Sequence, residues 1–187
     1  ARQLFTGAVR LPCNERVTMK RLFLAALMPL ALTACLGQVR EPSLAAPAPP
    51  FDALAFFEGH SEGVGTLDKI VGKTVETRVS SDGTRLDDGS LRLVQHIEEG
   101  DKPERKRTWV IHETAPGRYA GTLTDAKGPV TGSSEGNVLH LAYTMKGGFG
   151  VDQWLYLQPG GKVALNRMKV SKLGITVAKL DETIRKE

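Results

Sequence analysis

The sequence predicts an all-β domain, an antiparallel meander that closes into a barrel of about 8 to 10 strands behind one short N-terminal helical turn. Three observations lead there. Apolar and polar residues alternate with a period of two from residue 60 onward. Clusters of Gly, Pro, Asn and Asp interrupt the chain about every 8 to 14 residues. No stretch between those interruptions has the 3.6-residue period of a crossover helix. Successive strands are therefore joined by short turns, and closure removes the edges that an open sheet would leave exposed.

The elements follow in order. Residues 51–57 read FDALAFF, where the Asp52 side chain can cap a single helical turn that sends its rings into the core. Ten strand segments come next, at 60–66, 73–80, 90–98, 105–113, 118–124, 129–135, 138–145, 152–158, 163–170 and 175–184. The turn signals that cut the chain are Asp82-Gly83, Asp87-Asp88-Gly89, Glu99-Gly100-Asp101, Pro116-Gly117, Lys127-Gly128-Pro129, Gly136-Asn137, Gly147-Gly148 and Pro159-Gly160-Gly161. In the third segment Leu91, Leu93, Gln95 and Ile97 share one face, and Arg92, Val94, His96 and Glu98 share the other. In the seventh, Leu139, Leu141, Tyr143 and Met145 oppose Val138, His140, Ala142 and Thr144. A turn near 100–103 sets His96 opposite Lys106.

Ahead of this domain the chain has the layout of an export signal. Lys20 and Arg21 follow Met19, and residues 22–32 read LFLAALMPLAL, long enough for a signal core and too short to span about 30 Å of hydrocarbon. The run ends in Leu32, Thr33, Ala34 and Cys35, the pattern of a bacterial lipobox, in which small residues admit a peptidase and the new terminal thiol takes a diacylglycerol. On this reading 19–34 is a lipoprotein signal peptide and Cys35 is the lipid attachment point. Residues 35–50 form a Pro/Ala-rich spacer with a reach on the order of 40 Å, and 51–187 form one β-barrel domain. Residues 1–18 are read as an upstream extension and set aside. Cys13 lies within them, so the mature chain would hold Cys35 alone and no intramolecular disulfide.

That parsing changes the charge. The chain carries 25 Lys and Arg against 21 Asp and Glu, but five of the bases and one of the acids precede Cys35, leaving 20 of each. A neutral mature domain gives no electrostatic footprint for nucleic acid, and none is expected as a partner. The expected partners are a membrane, held through acyl chains on Cys35, and a small apolar ligand. Leu36 after the cysteine, where an aspartate would retain a lipoprotein at the inner membrane, points to the periplasmic face of the outer membrane.

Catalytic and metal motifs are mostly eliminated. Gly132-Ser133-Ser134-Glu135-Gly136 fits G-x-S-x-G, yet no helix follows it and no histidine follows His140. Gly72-Lys73-Thr74 copies the tail of a phosphate loop, but position 67 is Leu67 rather than glycine. His60, His96, His112 and His140 fall in separate strands at no ligand spacing, so no metal and no cofactor is expected.

The C-terminal third is distinctive: Asp152, Gln153, Trp154, Leu155, Tyr156 and Leu157, then Asn166 and Arg167, then Ser171, Lys172, Leu173 and Gly174. This resembles the D-x-W-M-Y-L, N-R and S-K-x-G pattern of a proteobacterial lipoprotein family known as domain of unknown function 3833, with echoes at Phe56-Phe57-Glu58-Gly59, Tyr119-Ala120-Gly121 and Gly136-Asn137. Leu91-Arg92-Leu93 is followed here by Val94, Gln95 and His96, where the family carries acidic residues. The resemblance implies a lipocalin-like barrel and names no activity.

Two readings of function follow from the residues. In the first the barrel binds a small apolar ligand or lipid, with Trp109, Tyr143, Asp152, Trp154, Tyr156, Asn166, Arg167 and Lys172 as candidate binding or structural residues. Asp152 would then pair with Arg167 or Lys172 inside the barrel and give a polar end to an aromatic cavity. In the second the same Asp152 is a general base stabilised by Arg167 or Lys172. A non-catalytic structural or interaction role in the envelope is the remaining alternative, and it predicts an exposed apolar patch.

Overall fold

A computed structural model describes Pro42 and residues 48–187. The upstream extension, the signal at 19–34, Cys35 and most of the spacer lie outside the described residues.

The folded part opens with helix α1 (Ala53–Phe57), capped as its sequence requires: the Asp52 carboxylate accepts from the Ala55 N–H at 3.0 Å. Ten strands follow: β1 (Gly59–Lys69), β2 (Val75–Arg85), β3 (Leu91–Glu99), β4 (Arg105–Ala115), β5 (Arg118–Leu123), β6 (Val130–Glu135), β7 (Val138–Met145), β8 (Phe149–Leu157), β9 (Val163–Lys172) and β10 (Ile175–Lys186). Each pairs antiparallel with the next, and β10 pairs back onto β1, so the sheet is a closed barrel without a free edge. The expected register of the β3–β4 hairpin is present, with His96 opposite Lys106.

One turn signal does not make a turn. Asp82 and Gly83 lie inside β2, paired with Val94 and Leu93, and the chain reverses only at 86–90, where Leu86 donates to the Ser90 carbonyl at 2.8 Å. Gly83 is needed for close approach instead: a Cβ there would collide with the carbonyl oxygen of Phe57.

That contact belongs to a plug. Helix α1 sits across one end of the barrel, with Phe51, Leu54, Phe56 and Phe57 in the core cluster; Phe51 meets Phe56 at a tilt and Phe56 meets Phe57 edge-on, at 5.1 and 4.9 Å between centroids. Hydrogen bonds hold it there. Phe51 N–H donates to Gly136, and the Lys186 ammonium donates to the carbonyls of Ala55, Phe56 and Glu58, groups a helix C-terminus otherwise leaves unsatisfied. Above the plug, Leu91, Leu139, Leu155 and Ala164 fill the interior with no more than 1% of their surface exposed. The core draws on residues 51–184. The opposite end of the barrel is a mouth framed by the turns at 70–74, 100–104, 124–129, 146–148 and 173–174.

Candidate functional site in the barrel interior

Midway along the strands the apolar filling stops. A cavity of about 80 Å³ opens there, lined by apolar side chains such as Leu93, Leu141 and Met168 and by a set of polar ones: Thr77, Gln95, Arg107, Gln153, Asn166 and Glu182. Strand alternation places them. Gln95 follows Leu91 and Leu93 on the inner face of β3, Gln153 lies between Val151 and Leu155, Asn166 between Ala164 and Met168, and Glu182 between Leu180 and Ile184.

Two of these polar residues, Gln95 and Arg107, are held by an internal network. The Gln95 carbonyl oxygen accepts from Trp109 Nε1 at 2.7 Å and from Arg107 Nε at 2.8 Å, while its amide donates to Ser81 Oγ at 3.1 Å. Arg107 also lies 5.3 Å from the Trp109 ring centroid, and Trp109 meets Tyr143 edge-on at 5.3 Å. This network fixes Arg107 by one nitrogen and leaves the rest of its guanidinium fork over the cavity. No carboxylate forms an ion pair with it among the described residues.

The other four are satisfied only in part. Glu182 is 5% exposed, and its carboxylate accepts from Asn166 Nδ2 at 2.7 Å. Burial drives its pKa up, against the pull of that hydrogen bond and of the Arg107 charge. Gly63 makes the space, since a Cβ there would strike the Glu182 carboxyl. Around it Gln153 Oε1, Asn166 Oδ1 and Thr77 Oγ1 are buried without a hydrogen-bond partner among the described residues. Burial also raises the Tyr143 pKa, so the phenol keeps its proton. Orphaned buried polar groups are rare in folded proteins, and a cluster of them beside a void is where ordered water or a bound molecule completes the hydrogen bonding.

The expected site residues separate into two sets. Trp109, Tyr143 and Asn166 point inward. Asp152, Trp154, Tyr156 and Arg167 occupy alternate positions of β8 and β9 and face outward, so the expectation that they meet inside the barrel is corrected. Asp152 pairs there with His140 at 3.3 Å and Lys169 at 3.4 Å, while Trp154 stacks on His140 at 4.9 Å and Tyr156 is buried in register with Val138 and Leu165. Arg167 pairs with Asp181 at 3.2 Å, and Lys172, at the mouth, donates to the Gly147 carbonyl at 3.0 Å. Asp152 thus has neither Arg167 nor Lys172 beside it, and the general-base arrangement is not assembled. The parity of β8 explains the inversion: both of its faces are apolar, and the buried one carries Val151, Leu155 and Leu157. Arg107, Gln153 and Glu182 were missed as site residues. The available signal was a polar residue on a strand face that is otherwise apolar.

A family model described as a protein of unknown function, DUF3833, matches residues 30–186, which takes in every strand of the barrel. The chain belongs to the DUF3833 family. No curated protein matches it. Among solved structures, this DUF3833 barrel is similar to an S-type phycobiliprotein lyase, CPES, from Guillardia theta. The TM-score is 0.58 at 7% identity, covering 72% of this chain and 90% of that one. It is also similar to a protein of unknown function of the DUF3598 family from Nostoc punctiforme, with a TM-score of 0.52 at 12% identity, covering 76% of this chain and 53% of that one. The DUF3833 chain therefore spans about half of the second protein. At such identities the likeness shows a shared lipocalin-like barrel.

Proposed function

We propose that this DUF3833 protein is a lipid-anchored barrel of the cell envelope that binds one small amphipathic molecule, its polar head at Glu182 and Asn166 and its apolar part toward the mouth. The observation that carries the reading is the group of unpartnered acceptors, Gln153 Oε1 and Asn166 Oδ1, gathered about a buried carboxyl in a void. Acceptors select a donor, so the head is a hydroxyl or an amine rather than a carboxylate. The size of the void bounds the rest. It holds several waters but is about half of the roughly 150 Å³ that admits a benzene ring, so an occupant with a tail displaces Arg107 and extends toward the mouth. The anchor reading rests on the lipobox pattern that ends in Cys35, and the periplasmic face of the outer membrane rests on Leu36 after it.

Tryptophan fluorescence tests the binding. With Trp154→Phe removing the outer tryptophan, Trp109 reports on the cavity wall, and hexylamine or hexanol should shift its emission saturably while hexanoate should not. Arg107→Met should change the affinity without unfolding the barrel. Unchanged emission with all three probes, and no small molecule retained in native mass spectrometry, would overturn the proposal.

A further inference from the structure

The mouth carries a second feature that ligand binding does not use. Four large apolar side chains stand in water at one side of it: Ile70 is 44% exposed, Val71 85%, Leu173 93% and Ile175 56%. They are neighbours. The β1–β2 turn joins the start of β10 through Ile70 N–H to the Val177 carbonyl at 2.9 Å, and Leu173 and Ile175 flank the adjoining β9–β10 turn. Three further facts set this patch apart from incidental surface. Leu173 holds φ at +50°, in the left-handed region that disfavours side chains other than Gly, Asn and Asp, so the turn displays a leucine at the expense of local strain. The patch sits at the rim of the opening through which the cavity would fill. Lysines border it: Lys73 and Lys146 have no carboxylate partner among the described residues, and Lys172 makes only a backbone hydrogen bond and lies 4.3 Å from the Phe149 ring centroid. The acidic groups nearest the patch already have partners: Asp68 accepts from Thr74 across the same β1–β2 turn, Glu99 is paired with Lys69 and Lys102, and Asp125, beside Lys146, is paired with Arg105.

We propose that this rim is a docking surface for an anionic bilayer: Ile70, Val71, Leu173 and Ile175 enter the interfacial region while Lys73, Lys146 and Lys172 engage anionic lipid headgroups. Apolar tips ringed by long cationic side chains are the arrangement such an interface selects, because the rings of charge remain at headgroup level while the tips leave water. A protein partner would need a complementary acidic face; a membrane supplies its negative charge over any orientation of the patch.

A label at the rim tests the docking in the full chain, whatever else holds that chain to a vesicle. In a Cys13→Ser, Cys35→Ser background, bimane is attached at Leu173→Cys, at Val71→Cys, and, as the control at the plugged end, at Asp88→Cys. Vesicles of phosphatidylcholine containing phosphatidylglycerol should blue-shift the two rim labels and leave the control unchanged, with a weaker response on phosphatidylcholine alone. Replacing Lys73, Lys146 and Lys172 by Gln should weaken the rim response about fivefold per lysine. No rim shift, a shift shared equally by the Asp88 label, or one indifferent to both lipid charge and lysine replacement would each overturn the proposal. No cavity ligand is present in this experiment, so its failure leaves the binding reading standing.

Discussion

Glu182→Gln isolates the buried carboxyl of the barrel interior. The folded state holds the Glu182 proton to a higher pH than the unfolded chain does, because burial raises its pKa above the ordinary 4.5 and outweighs Asn166 and Arg107. The sign follows from linkage: this group's stabilising contribution is complete below about pH 4.5 and is lost as pH rises through the folded value. Within that window the slope reaches about 1.4 kcal/mol per pH unit. A domain of residues 51–187 has an unfolding entropy of about 0.3 kcal/mol/K, so the slope corresponds to roughly 5 °C of melting temperature per pH unit. Glutamine keeps the shape and can still accept from Asn166, but it does not titrate. The readout is the difference between variant and wild type, since Glu99 tilts both proteins the other way. Burial raises Glu99, but Lys102 and Lys69 outweigh it and hold its pKa low, so stability is present above its ordinary value and falls as pH falls. Melts followed by circular dichroism between about pH 4.5 and 8 should show the Gln variant gaining on wild type as pH rises. A difference that stays flat across that range would refute a buried, proton-retaining Glu182.

Three further outcomes are expected. Gly83→Ala forces a Cβ against the Phe57 carbonyl and should destabilise the plug by about 1–3 kcal/mol in urea unfolding; an unchanged midpoint would mean that α1 is not seated on β2. Leu155→Ala empties a position with no exposed surface and should cost about 2–5 kcal/mol by the same measurement. Cys35→Ser should abolish incorporation of labelled palmitate and release the protein from the membrane fraction, whereas continued membrane retention would count against the acyl anchor.

The strands were legible because their information is local. A two-residue period bounded by turn residues needs no knowledge of what lies across the barrel, and all ten segments are present within a few residues of expectation. Asp52 as a helix cap is legible for the same reason. Asp82-Gly83 was misread because a glycine can serve a turn or a tight approach, and only the position of Phe57 distinguishes them. The candidate site depended on a second non-local fact, which face of β8 is the inside. Trp154 and Tyr156 look like core residues in sequence, yet Gln153, just before Trp154, is the one that reaches the cavity, and Glu182 reads as an ordinary surface acid until Leu180 and Ile184 on either side are seen to face inward.

The plug also fixes which pole of the barrel an anchor upstream of it would hold. The chain reaches Phe51 at the closed end, so an anchor at Cys35 would leash the body by the pole opposite its opening. Strands of 11 residues, tilted about 40°, give a body roughly 28 Å tall, against a leash on the order of 40 Å. A leash longer than the body would let a barrel anchored at Cys35 tip over and press its rim to that membrane. Cutting the spacer by half would then leave such a barrel tethered but too short of slack to bring its rim to the bilayer.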